Sequence, residues 1–124
     1  MHFESGHALI IGVGADLPNT VDDAQGLATI LQDKERCAYP PQQVQLLTGP
    51  EATRDAVLAV LDALAQRADE ESTVVVYFSG HGYTISTSMD DIYFLMPYGY
   101  DVNKLKTTAI KGSEFTAKLR AIPA

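Results

Sequence analysis

Ala8-Leu9-Ile10-Ile11-Gly12-Val13 is an uninterrupted apolar run closed by Gly14, the pattern of a strand buried on both faces; it reads as the first, central strand. Turn chemistry follows in Asp16-Leu17-Pro18-Asn19, after which Thr20 or Asp22 can cap a helix whose apolar positions Ala24, Leu27, Ile30 and Leu31 keep helical spacing. That helix should end near Arg36, ahead of Pro40-Pro41. Val44-Gln45-Leu46-Leu47 predicts a brief second strand, stopped by Thr48-Gly49-Pro50. Thr53 then starts the most regular helix, with Val57, Val60, Leu61 and Leu64 on one face and Arg54, Asp55, Asp62 and Gln66 away from it, running to about Ala68. Beyond the polar Asp69-Glu70-Glu71-Ser72, the β-branched and aromatic stretch Thr73–Phe78 predicts a third strand. Tyr93-Phe94-Leu95-Met96 predicts a fourth, Pro97–Asn103 a loop, and Ser113–Arg120 a last helix capped by Ser113. Alternating strands and helices predict an α/β fold: a three-layer sandwich with a mostly parallel sheet, helices on both faces and right-handed crossovers.

Composition narrows the classes this pattern allows. The 124 residues suit one domain, residues 1–124, and a 46% apolar and 20% charged composition is that of an ordinary globular chain. A formal net charge of −7 with scattered basic residues argues against a nucleic-acid surface, which needs clustered Lys and Arg. No apolar run approaches the roughly 20 residues of a membrane span, and the N-terminus lacks a basic region followed by an apolar one, so the cytoplasm is the expected location. Cys37 is the only cysteine and cannot form an internal disulfide, which fits a reducing compartment.

Candidate chemistry gathers after the third strand, where Ser79-Gly80-His81-Gly82 sets a histidine between two glycines. Parallel α/β sheets build their sites at the carboxyl ends of strands, and glycines there let backbone N–H groups approach a reacting atom. Histidine, with an ordinary pKa of about 6.5, suits proton transfer at neutral pH. The bland alternative is a histidine satisfied by hydrogen bonds in a glycine-rich turn. His2 and His7 lie at or before the first strand, and no second ligand stands at zinc spacing from His81, so no metal site is expected. Ser79 lacks the glycine two residues earlier that a nucleophile elbow requires. Gly12-Val13-Gly14 begins like a dinucleotide fingerprint, yet Leu17 replaces the third glycine and the helix starts too late; two glycines in a bend explain it as well.

The apolar strand running into Ser79-Gly80-His81-Gly82 resembles the histidine motif of caspase-like cysteine peptidases, family C14, the group of caspases, metacaspases, paracaspases and bacterial CHAT proteins. The resemblance extends to Ala8–Gly14 and to Val21-Asp22-Asp23-Ala24, similar to the family's N-D-A start of the first helix, and to Tyr93–Pro97 followed by Asp101. It implies the large-subunit part of a caspase-like fold, incomplete in this chain, with His81 as general base and acid and the Gly82 N–H donating to an oxyanion. By the same resemblance Asp23 and Ser79 would line a pocket for Arg or Lys before the cleaved bond; an opposed carboxylate is what such a cation needs. Helix capping is the plainer role for Asp22 and Asp23.

The family delivers its nucleophile from a D-x-C strand, expected here after Ala124, and Cys37, at the end of the first helix ahead of Pro40-Pro41 with no helix N-terminus or basic cluster fixed beside it, is not expected to replace it. The expected partners are a protein or peptide substrate and a companion C-terminal segment carrying the cysteine, without nucleic acid or membrane; alone, the chain should be inactive. Asp90 and Asp91 are similar to acids that bind calcium in some metacaspases, but a cage needs six or more oxygen ligands and only Asp101 is an obvious addition; solvated loop acids are the plainer reading, and no cofactor is expected, with calcium as the alternative. A non-catalytic caspase-like scaffold is the alternative function, and a nucleotide-binding α/β protein a more distant one.

Overall fold

The computed structural model describes residues 2–124. The apolar run forms β1 (Gly6–Gly12), which pairs in parallel with β2 (Val44–Thr48) on one side and β3 (Thr73–Ser79) on the other, giving the order β2-β1-β3. Being central, β1 is buried along its whole length, and Ala8 through Ile11 have no exposed surface at all. Its two faces feed two cores, as the two-residue period of a strand requires. Ala8 and Ile10 pack with Ala24, Ala28 and Leu31 of α1 (Asn19–Gln32) and with Tyr39 and Val44. Leu9, Ile11 and Val13 pack with Val57, Leu61 and Leu64 of α2 (Arg54–Arg67) and with Ile110. One helix thus covers one face and α2 the other, which is the α/β layering the sequence predicts.

Helix boundaries follow the local chemistry with some corrections. The helix read as starting at Thr53 begins at Arg54 with Thr53 as its cap, the Thr53 hydroxyl accepting the Ala56 N–H at 3.3 Å. Helix α1 starts after Pro18 without a side-chain cap and ends at Gln32 rather than near Arg36; Thr20 and Asp22 lie inside it. Its buried stripe is Ala24, Ala28 and Leu31, while Ile30 is 44% exposed, because two alanines let that side of the helix sit closest to the sheet.

The stretch after His81 departs furthest from the expected layout. Strand β4 (His81–Ser86) forms a hairpin with β5 (Asp91–Met96), in register from His81 opposite Met96 to Ser86 opposite Asp91. The short α3 (Leu105–Thr108) leads into β6 (Ile110–Lys111), which completes a separate antiparallel sheet of order β4-β5-β6. The Tyr93–Met96 strand therefore exists, in this second sheet rather than beside β3. The last helix, α4 (Gly112–Arg120), begins one residue early and Ser113 does not cap it. Leu119 and Ile122 at its end flank Val74 and Val76 of β3, whose outer edge pairs with no strand among the described residues.

Candidate active site

The carboxyl ends of β1 and β3 are locked side by side, Gly12 opposite Ser79, with the Val13 N–H donating to the Ser79 carbonyl at 3.0 Å. Two glycines make this closeness possible. A Cβ on Gly12 would stand 2.3 Å from the Thr20 carbonyl oxygen and 2.9 Å from Ala24 Cβ, so Gly12 lets α1 lie on the sheet. A Cβ on Gly80 would stand 2.7 Å from Val13 Cγ2. The Gly12-Val13-Gly14 pattern is thereby explained by packing and a turn.

Past Val13 the chain reverses through Gly14, φ 72°, and Ala15, φ 55°. Ala15 is a non-glycine residue in the left-handed region, a conformation that costs roughly 1–2 kcal/mol. The turn is held by the Leu17 N–H donating to the Gly14 carbonyl at 2.9 Å. Thr20 ties it to α1: its hydroxyl accepts the Gly14 N–H at 2.8 Å and donates to the Leu17 carbonyl at 2.7 Å. Asp16 sits in this stapled turn.

His81 opens β4 directly after Gly80, so the histidine stands where the parallel sheet ends and the hairpin begins. Its Nε2 lies 2.9 Å from Asp16 Oδ2 and 3.1 Å from Asp16 Oδ1. The hydrogen bond from His81 is the chief reason that the Asp16 carboxyl is held below the ordinary carboxylate value; the nearby imidazole charge adds to it against a partial desolvation. Both side chains meet solvent, His81 at 42% and Asp16 at 68% exposure. They border a groove of about 310 Å³ between the Gly14–Leu17 turn and the Pro97–Tyr100 loop, floored by Val13 and Gly80.

The other sequence-derived candidates spread around this groove rather than into it. Gly82 is exposed in β4, opposite Leu95, with only ordinary contact awaiting a Cβ, at 3.8 Å from the Phe94 carbonyl oxygen. Ser79 is the half-buried last residue of β3. Asp23 is an exposed residue of α1, and neither it nor Ser79 lines the groove. Cys37 packs with the α1-side core, and its neighbours Ala38 and Tyr39 contact Phe3 and Gly6 at the opposite end of β1. The length of the strand, about 20 Å at 3.3 Å per residue, separates that end from His81.

Asp90 Oδ1 accepts the Asp91 N–H and Asp101 Oδ1 the Asn103 N–H. Among the described residues no group of three or more His, Cys, Asp or Glu side chains is placed to hold a metal ion. No helix among the described residues is long and apolar enough to cross a membrane.

Asp16 is the site residue that the sequence pattern does not single out, because Asp16-Leu17-Pro18-Asn19 reads as turn chemistry. The available signal was positional: an acid just past the glycine that closes the central strand lies at the same sheet end as a histidine following the third strand.

A family model describing the caspase domain, peptidase C14, matches residues 5–124. No curated protein matches the chain.

Proposed function

The chain belongs to the caspase domain family of cysteine-type peptidases, and on that footing we propose that it is the histidine-bearing portion of an endopeptidase whose nucleophilic cysteine lies outside these 124 residues. The observation that carries this reading is His81 itself, half-exposed at the carboxyl end of β3 and facing a groove. Cys37 at the far end of the sheet cannot serve it.

In this reading the His81 imidazole takes the proton of the incoming thiol, and the thiolate attacks the scissile carbonyl to form a tetrahedral oxyanion. The Gly82 N–H donates to that oxyanion. As the C–N bond breaks, the imidazolium returns the proton to the leaving amine, and the thioester left on the cysteine is cleaved by a water whose proton His81 accepts. Asp23 and Ser79 help select Arg or Lys before the cleaved bond. The outer edge of β3, bordered by Leu119 and Ile122 and paired with no strand among the described residues, is where the cysteine-bearing strand would add, since unpaired edges of this kind are templates for strand addition.

The test begins with denaturing intact-mass spectrometry of the native material after iodoacetamide. Expected is a companion segment or chain with an alkylated cysteine, loss of cleavage on alkylation, and preference for peptides with Arg or Lys over Asp before the cut. His81→Ala should lower kcat by roughly 10²–10⁴-fold, the usual worth of a general base. A species whose only cysteine is Cys37 and which cleaves nothing would replace the peptidase with a non-catalytic caspase-like module.

A further inference from the structure

The reading of His81 as a base leaves open which ring nitrogen does the work and what holds the ring. We infer that Asp16 is the positioning residue for His81: its carboxylate accepts the Nε2–H, fixes the ring and its tautomer, and leaves Nδ1 to face the thiol. The inference rests on the peptidase reading for its catalytic consequence, though not for the pairing itself.

The geometry carries it. A carboxylate has only acceptor oxygens, so at 2.9 and 3.1 Å from Asp16 the Nε2 atom must hold the proton. In the neutral ring the lone pair is then on Nδ1, the tautomer a base needs if the thiol approaches from that side. When the ring takes a proton during the reaction, the same carboxylate faces the new positive charge.

Among the described residues Asp16 is also the only acidic side chain lining the groove. Stability does not explain its placement, because ion pairs exposed to this degree contribute little. Yet the turn that presents it is elaborate: a left-handed Gly14 and Ala15, the Leu17-to-Gly14 hydrogen bond, and a Thr20 hydroxyl bonded in both directions. A strained and stapled turn that aims one exposed carboxylate at one histidine is placed to prepare that histidine for its task. Were Asp16 instead the acid that binds a basic substrate side chain, its removal would weaken substrate binding rather than slow the chemistry.

Two readouts test this with the variants Asp16→Ala and Asp16→Glu. Proton and nitrogen NMR of the 124-residue chain should show a downfield His81 Nε2–H, lost in D16A and at least partly kept in D16E. A ring protonated on Nδ1 in the wild type, or a signal indifferent to D16A, would overturn the inference. In the assembled peptidase D16A should lower kcat about 10–100-fold with KM within about twofold, and D16E should recover part of the loss. Unchanged kcat, or a rise confined to KM, would overturn it as well. A wild type that cleaves nothing while its Nε2–H signal still depends on Asp16 would remove the peptidase reading alone and leave Asp16 as the residue that holds His81.

Discussion

β1 and β4 are strands of similar length, 7 and 6 residues, with opposite relations to water. Every residue of β1 is buried; in β4 only His81 is half-buried and the rest are exposed. The central strand therefore anchors the core, β4 lies exposed on its flank, and the candidate chemistry sits at the joint between them. A base at such a joint has rigid support behind it and open access in front.

The sharpest test of the comparison is to remove the same side chain from each layer. Ile10 has no exposed surface, and Ile10→Ala should destabilise the chain by about 3–4 kcal/mol, within the range for emptying a core position. Ile85 in β4 is 36% exposed, and Ile85→Ala should cost about 1–1.5 kcal/mol. Urea unfolding of both variants measures the difference; equal losses would mean that the hairpin belongs to the same cooperative core.

Glycines sharpen it further, because one of each kind lies near the site. Gly12→Ala must push α1 off the sheet or bend β1, an overpacking cost of about 2–3 kcal/mol. Gly82→Ala meets only ordinary contact and lies in a strand, so its stability should change by less than about 0.5 kcal/mol. A large loss from Gly82→Ala would show that the hairpin is packed more tightly than its exposure suggests.

The same contrast decided what was legible in the sequence. Ala8–Val13 could be read because a strand buried on both faces must be apolar throughout, Thr73–Phe78 because it is rich in β-branched and aromatic residues although only partly buried, and α2 because Val57, Leu61 and Leu64 repeat on one face. β4 was not, since His81-Gly82-Tyr83-Thr84-Ile85-Ser86 buries too little to leave a pattern and its pairing with β5 is set by tertiary contact. The candidate site divides in the same way. His81 was visible through its motif and its place after a strand, whereas Asp16 is a neighbour only because β1 and β3 lie side by side, a relation between positions 65 apart. Asp23 and Ser79 are named by resemblance, and neither lines the groove, although Ser79 directly precedes the Gly80 that does.

The joint itself can be loosened at Arg54, on α2 and 24% exposed, whose guanidinium donates to the Ala109 carbonyl at 3.1 Å and to both Glu114 carboxylate oxygens at 3.1 and 2.9 Å. This cluster ties α2 to the approach of β6 and to α4. Arg54→Ala should cost about 1–2 kcal/mol, more than a surface ion pair because the forked contact is partly shielded. Hydrogen exchange should show the gain in opening confined to β5, β6 and α4; uniform loosening would mean that the two layers do not separate.

The smallest effect lies at the joint's exposed rim and is one of sign more than size. The His81 hydrogen bond holds the Asp16 carboxyl below its ordinary value of 3.8, so on lowering the pH the unfolded chain takes up this proton before the folded chain does. Where the unfolded state binds more protons, stability rises with pH. The contribution of Asp16 is therefore complete above about pH 3.8, and it is lost as pH falls through the lower folded value. Both side chains are exposed, so the loss is small against that of the buried layer. Carbon-13 titration of the Asp16 carboxyl should give a midpoint below the ordinary one in the wild type, moving up in His81→Ala. A midpoint indifferent to His81→Ala would mean that the pair does not persist in solution, and the histidine would then stand at the joint without the carboxylate that holds it.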